Sequence, residues 1–234
     1  MTSPSAPQPT AQTECSQPPA ARTFPVHHHP TSSAPDPQLR LETLLVRSGT
    51  GTDPATGAIT TPIHLSTAYG HPGLGESTGY DYTRTASPTR DVLQDALARL
   101  EGGTAAFALS SGMAALELVT RTLAPHGSRI VALRDLYGGS FRFLEVLAEE
   151  GAARVDFVLG IEGLRGALAD PADLVIIETP TNPMMEEISI PEAAELAHAA
   201  GARLVVDNTF YTPVVQRPLE LGADVVVHSG TKYL

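Results

Sequence analysis

The sequence predicts an α/β fold, with a mostly parallel sheet between two layers of helices. Apolar runs of strand length alternate with segments of helical period over most of the chain, which is the pattern of βαβ units. Polar residues gather directly after those runs: Tyr137, Glu178, Thr181-Asn182, Asp207, and Ser229 to Lys232. In open α/β sheets, ligands bind just past the carboxyl ends of the strands. The gathered polar residues are therefore expected to face one crevice.

The last thirty-one residues, Leu204 to Leu234, show this most clearly. Leu204-Val205-Val206 runs into Asp207-Asn208-Thr209, and Val225-Val226-Val227 into His228-Ser229-Gly230-Thr231-Lys232. An acid and a lysine, 25 positions apart, are thus brought to the same edge. A lysine among small hydroxyl residues can form a Schiff base with an aldehyde cofactor. A nearby aspartate can keep a pyridine nitrogen protonated, the pairing that pyridoxal phosphate chemistry needs. Taken alone, the same residues would also fit a surface lysine after an edge strand and an aspartate capping a turn. The alternation upstream favours the crevice.

Composition narrows the class. The 234 residues allow one large domain or slightly more. Hydrophobic content of 42% with 18% charged residues describes a soluble globular protein. A net charge of −11 argues against a nucleic-acid partner, since phosphates are neutralised by clustered Lys and Arg. There is no apolar run long enough for a membrane span. A single cysteine, Cys15, gives neither a disulfide framework nor a cysteine metal site, and a reducing cytoplasm fits best.

Residues 1–37 hold nine of the twenty prolines and little aliphatic periodicity, so they are expected to form a disordered tail. They lack the positive start and apolar core of a secretory signal. His27, His28 and His29 have no fixed geometry for a metal there, and no metal site is expected. A short helix is expected from Leu39 to Arg47. Residues 48–90 are Gly-, Thr-, Ser- and Pro-rich, too long for a structureless internal loop, and read as an arm laid across a partner subunit. Tyr80, Tyr82, Arg84 and Arg90 fall within it, and alternate positions of an extended chain point to one side. Arginine there is suited to reach a phosphate.

The main domain, 91–234, follows. A helix from Thr89 to Leu100 places Val92, Leu93, Ala96, Leu97 and Leu100 on one face, and Gly102-Gly103 stop it. Thr104 to Leu109 read as a buried strand. Ser110-Ser111-Gly112-Met113 then turn into a helix, Ala114 to Leu123, whose free N–H groups and dipole make an anion site. The turn is not a P-loop, lacking its spacing and lysine. Strands are expected over Arg129–Leu133, Arg154–Leu159, Leu174–Glu178 and Arg203–Asp207. Helices are expected over Ser140–Glu150, Glu162–Leu168 and Pro191–Ala200, the last with proline in its first turn.

Five segments together resemble one known family: TTPIHLSTAYGHPGLGESTGYDYTRTASPTR, ALSSGMAALE, DLYGGSFRFL, IIETPTNPMMEE and VVDNTFYTPVVQRPLELGADVVVHSGTKYL. The chain is similar to the cystathionine γ-synthase and O-acetylhomoserine sulfhydrylase group of pyridoxal phosphate enzymes over nearly all of Leu41–Leu234. The resemblance implies the PLP-dependent transferase fold of type I, a three-layer α/β/α arrangement. It implies Lys232 as the Schiff-base lysine and Asp207 as the acid on the pyridine nitrogen. Tyr137 would stack on the cofactor ring. Gly112, Met113, Ser229 and Thr231 would cradle its phosphate. Tyr82 and Arg84 would reach the phosphate of a neighbouring subunit, and Asn182 would lie near the phenolic oxygen. Tyr137 and Tyr82 are also candidates for handling protons.

The implied reaction replaces the γ-substituent of an activated homoserine ester by cysteine or sulfide, on a small amino-acid substrate. A γ-lyase acting on cystathionine is the alternative. The implied assembly is a homo-oligomer, a dimer of dimers. Two departures stand out: Ser87 where many members have Asn before Pro-Thr-Arg, and Gly139 where methionine γ-lyases have a cysteine. Family members continue past the lysine into a C-terminal domain that supplies the arginine for the substrate carboxylate. The chain is therefore expected to be a fragment, and an inactive cofactor-binding piece is the non-enzyme alternative.

Overall fold

Strand pairing in the computed structural model, which describes residues 39–50, 53 and 55–234, is parallel throughout. The expected tail, with Cys15 and His27–His29, lies outside the described residues. Five strands form one sheet in the order β2-β1-β3-β4-β5. They are β1 (Ser128–Leu133), β2 (Ala153–Val158), β3 (Leu174–Glu178), β4 (Arg203–Asp207) and β5 (Val225–Val227). The central strands are buried on both sides, as Leu174, Val175, Ile176 and Ile177 and then Leu204, Val205 and Val206 show. That is why they read as continuous apolar runs rather than alternating ones.

The helices are α1 (Leu41–Arg47), α2 (Pro88–Glu101), α3 (Gly112–Leu123), α4 (Gly138–Glu149), α5 (Gly160–Ala167), α6 (Ile190–Ala199) and a single turn, α7 (Thr212–Val215). The chain steps from β1 outward to β2 and then back across to β3. Crossovers between parallel strands are right-handed, so reversing direction changes the face the helix covers. Accordingly α4 packs with α3 and β2, while α5 packs on α6 and β1. The reversal leaves a crevice beyond the ends of β1 and β3, the topological switch point of such sheets.

Most boundaries agree with expectation within one or two residues, because caps mark them. Pro88 opens α2, and Gly102 closes it in the left-handed region at φ 71°. Ser111 caps α3 by accepting from Ala114 N at 3.1 Å. Ser189 caps α6 by accepting from Glu192 N.

Three expectations fail. Thr104 to Leu109 are extended but form no strand. The run has no ladder partner among the described residues, and its Ala108 N–H donates to the Gln94 side chain at 3.0 Å instead. Phe107 and Leu109 remain exposed. A short apolar run with small residues does not reveal whether it is paired. Second, the chain from Tyr82 to Thr85 is a turn, closed by Thr85 N to Tyr82 O, so Tyr82 and Arg84 do not alternate along an extended strand. They meet because the Arg84 guanidinium lies 4.9 Å from the centre of the Tyr82 ring. Third, the polar stretch after Asp207 holds α7 and a 3₁₀ turn, Pro218–Leu221, where no helix was expected.

One buried contact ties the sheet to α2. His228 Nε2 lies 2.5 Å from Glu101 Oε1, with side-chain exposures of 9% and 5%. Removing one partner strands a polar group without water. His228→Ala is expected to destabilise the intact protein by about 3 kcal/mol, read as a lower urea midpoint at unchanged slope. A loss below about 0.5 kcal/mol would show the contact to be immaterial.

Candidate active site

At the carboxyl edge of the sheet a cavity of about 220 Å³ opens between the ends of β3, β4 and β5 and the starts of α3 and α4. Eight of the ten residues expected for the site line it: Gly112, Met113, Tyr137, Asn182, Asp207, Ser229, Thr231 and Lys232. Tyr82 and Arg84 are not among the lining residues; they sit in the turn shortly before α2, Tyr82 being 39% exposed. Glu178 and Ser111, which the sequence placed at the crevice and in the anion-site turn without a specific role, also line it, together with Thr209. Glu178 closes a buried strand in the same way as Asp207.

Asp207 is held from its own loop. Thr209 donates to Asp207 Oδ1 through both its backbone N, at 3.0 Å, and its hydroxyl. Both bonds fall on one oxygen, leaving Oδ2 for a donor entering the cavity. The Thr209 hydroxyl in turn accepts from Ser229 N at 2.9 Å, joining the end of β4 to the loop after β5. Asn208, fully buried, exchanges bonds with Gln216, whose amide also donates to Thr179 O at 3.2 Å. These contacts fix the loops after β3 and β4 relative to each other. The loop carrying Asn182 is closed by Thr181, whose hydroxyl accepts from Glu186 N at 3.0 Å.

The start of α3 meets the loop after β5 at very close range. A Cβ on Gly112 would lie 2.9 Å from Ser229 Cβ and 3.1 Å from its Cα, inside normal contact. Only glycine permits that approach. It places the unpaired N–H groups of a helix start beside the hydroxyls of Ser229 and Thr231, a cluster of donors suited to an anion. Lys232, exposed, follows on the same loop.

Across the cavity, Tyr137 is the residue before α4 and is 47% exposed. Its backbone N donates to Glu178 Oε2 at 2.6 Å. A Cβ on Gly139 would fall 2.5 Å from Tyr137 Cε1 and 3.1 Å from Met113 Sδ, so the ring occupies the space a side chain there would need.

Two carboxyls share this edge. Burial pushes Glu178 up to about 8, helped by the negative charge of Asp207 and opposed by the Tyr137 N–H. Burial also raises Asp207, against the hydrogen bonds from Thr209 and the nearby His228. A cavity with one neutral acid, one hydrogen-bonded acid, a donor cluster and an amine can bind a group that is anionic at one end and cationic in its ring.

Residues 42–234 match the family model for Cys/Met metabolism PLP-dependent enzymes. The chain belongs to that family. Over 200 residues it is 47% identical to a cystathionine gamma-synthase of Haemophilus influenzae, covering 84% of this chain and 54% of the relative. It is 46% identical to a Bacillus subtilis cystathionine gamma-synthase/O-acetylhomoserine (thiol)-lyase, covering 83% of this chain and 52% of that protein. Among solved structures, a cystathionine gamma synthase from Xanthomonas oryzae pv. oryzae, in complex with aminoacrylate and cysteine, superposes with a TM-score of 0.80 at 43% identity. That match covers 83% of this chain and 51% of the other. The α/β architecture is therefore the PLP-dependent transferase fold expected for the family, and the chain spans about half the length of the curated relatives it matches.

The close approach at Gly112 yields a test. Gly112→Ala is expected to push the start of α3 away from Ser229 and speed loss of pyridoxal phosphate roughly tenfold, the equivalent of about one hydrogen bond. Cofactor fluorescence after dilution follows the rate, with far-UV circular dichroism unchanged. Wild-type retention would show that the contact does not shape the donor cluster.

Proposed function

We propose that the intact protein catalyses γ-replacement on an activated homoserine ester, with pyridoxal phosphate as cofactor and cysteine or sulfide as the incoming nucleophile. The observation that carries this reading is the convergence of Asp207, the α3 start with Ser229 and Thr231, and Lys232 on one cavity. Those residues fit the group: a buried acid for its ring nitrogen, N–H and hydroxyl donors for its phosphate, and an amine for its aldehyde. The similarity to synthases, and to a bifunctional synthase and thiol-lyase, supports replacement over elimination.

Bound pyridoxal phosphate supplies an electron sink conjugated to the substrate's amine. Asp207 would hold the ring nitrogen and keep it protonated. Lys232 would hold the aldehyde end and, through its amine, move the proton of the substrate's Cα. Tyr137 would cover the ring and exclude water from its face. Asn182 would orient the substrate near the phenolic oxygen. At Cγ the C–O bond breaks and the acyl group leaves as its carboxylate. A C–S bond forms there, and the thiol proton is released. Cysteine gives cystathionine, and sulfide gives homocysteine.

Residues 38–90 are the arm and 91–234 the cofactor domain in this reading. Ile59, Ile63, Leu65 and Leu74 of the arm are each at least three-quarters exposed in the single chain. Leaving so many aliphatic groups in water is costly, and a second copy would cover them. Tyr82 and Arg84 then serve the phosphate of the neighbour, in a homo-oligomer built as a dimer of dimers. No helix among the described residues is long and apolar enough to cross a membrane. With a net charge of −11, the protein is read as a cytoplasmic enzyme without a nucleic-acid partner.

Lys232→Ala in the intact protein is expected to abolish both the visible absorption band of the bound cofactor and turnover. A variant keeping band and activity would sink the assignment. The shared site has its own test. Arg84→Ala subunits mixed with inactive Lys232→Ala subunits should recover activity, because one site of each mixed dimer combines an intact Lys232 with a partner's intact Arg84. No recovery in verified mixed dimers would place the arm within its own chain.

A further inference from the structure

Glu178 is the least explained group in the cavity. It is 3% exposed, yet it lines the cavity wall. It pairs in register with Asp207 on the neighbouring strand. In-register residues of parallel strands point to the same face, so the two carboxyls stand side by side. Among the described residues, the hydrogen bond of its side chain is the 2.6 Å donation from Tyr137 N to Oε2. That bond reaches from the end of β3 to the first residue before α4, across the switch point of the sheet.

We propose that Glu178 is a positioning residue, whose carboxyl group clamps the start of α4 through Tyr137 N and so sets the Tyr137 ring over the bound cofactor. This rests on the reading that Tyr137 stacks on the cofactor. The Tyr137 ring needs such an anchor. Tyr137 is half-exposed, and its place beside Gly139 and Met113 is defined by close contact rather than by a hydrogen bond of its own hydroxyl among the described residues.

The protonation state of Glu178 suits the clamp. The charged groups around it are Asp207 on β4, Asp135 in the turn after β1, Lys232 after β5, and His228 beyond Asp207. Burial and the two aspartates hold the carboxyl neutral through neutral pH, with its midpoint near 8. A neutral carboxyl still accepts from Tyr137 N, and it adds no second negative charge beside Asp207. Glutamine reproduces the neutral acceptor, and alanine does not.

The test is a double-mutant cycle on the intact holoenzyme, reading cofactor dissociation by fluorescence and the visible circular dichroism band of the bound cofactor. Glu178→Ala is expected to release pyridoxal phosphate about tenfold faster, the worth of one hydrogen bond to a backbone donor, and to weaken the band. Glu178→Gln should stay within about threefold of wild type. In a Tyr137→Ala background, Glu178→Ala should add less than about threefold, because the two act through one contact. Equal effects in both backgrounds, or normal retention in Glu178→Ala, would overturn the role of Glu178 while leaving that of Tyr137 intact. Normal retention and band in Tyr137→Ala would refute the ring's placement, and the proposal with it.

Should Glu178→Ala fail to fold, the pH dependence of stability decides. A carboxyl raised from 4.5 to about 8 binds its proton more tightly in the folded state. Wild-type stability relative to Glu178→Gln should therefore be greatest below pH 4.5, fall as pH rises to about 8, and level off above. A difference that stays flat across that window would overturn the neutral clamp.

Discussion

The in-register parallel pairing of β3 with β4 is the constraint on which the rest of the molecule depends. Leu174 to Glu178 lie against Arg203 to Asp207 residue for residue, and Val205 to Asp207 then set the register of β5. Because the strands are parallel, every one of them ends at the same edge. Because side chains alternate, a slip of one residue would turn Asp207 away from the cavity and send Leu204 and Val206 to the opposite face. A slip would also draw a charged strand end, Arg203 or Asp207 on β4 or Glu178 on β3, into the buried apolar run, which is what resists it. The apolar core therefore does not merely stabilise the site. It determines which side of the sheet the acid occupies.

The electrostatics at that edge follow from the same packing. Two carboxyls in register on neighbouring strands cannot both ionise cheaply. The pair is made unequal by its surroundings. Thr209 supplies Asp207 with two hydrogen bonds and His228 stands nearby, while Glu178 has one backbone N–H and the negative charge of Asp207 beside it. The donors oppose the rise that burial causes in Asp207, whereas Glu178, pushed up to about 8, keeps its proton at neutral pH. This asymmetry matters for a family whose cofactor carries a ring nitrogen that must stay protonated. It arises from loop contacts after β4 that no single residue provides.

Much of this was legible in the sequence because it is local. Apolar runs, Pro88 and Gly102 at the ends of α2, and serine caps at Ser111 and Ser189 are each written within a few residues. The polar residues after each strand were legible too, once parallel topology placed them at one edge. What could not be read depends on distant partners. Thr104 to Leu109 look like a strand, but strand pairing is a property of two segments, and among the described residues this run pairs with no strand, its Ala108 N–H going to the Gln94 side chain. Glu178 was legible as a residue of the crevice, but its place side by side with Asp207 is known only from the strand register. The close packing of Gly112 on Ser229 joins residues far apart in sequence, and glycine at such a position is indistinguishable from glycine in a loose turn.

The arm poses the opposite problem, and here composition is more informative than local pattern. Helix α1 has no buried residue, and the aliphatic groups from Ile59 to Leu74 are largely in water within the single chain. The cavity, by contrast, is lined by residues from Ser111 to Lys232, with neither Tyr82 nor Arg84 of the same chain among them. The arm's few internal contacts are isolated bridges, Thr50 with Thr60 and Ala68 with Tyr82, together with turns and short polar bonds. Such contacts shape a segment without burying it. A segment shaped but not buried loses backbone entropy with little hydrophobic return. The sheet, by contrast, holds its order through the paired strands β3 and β4.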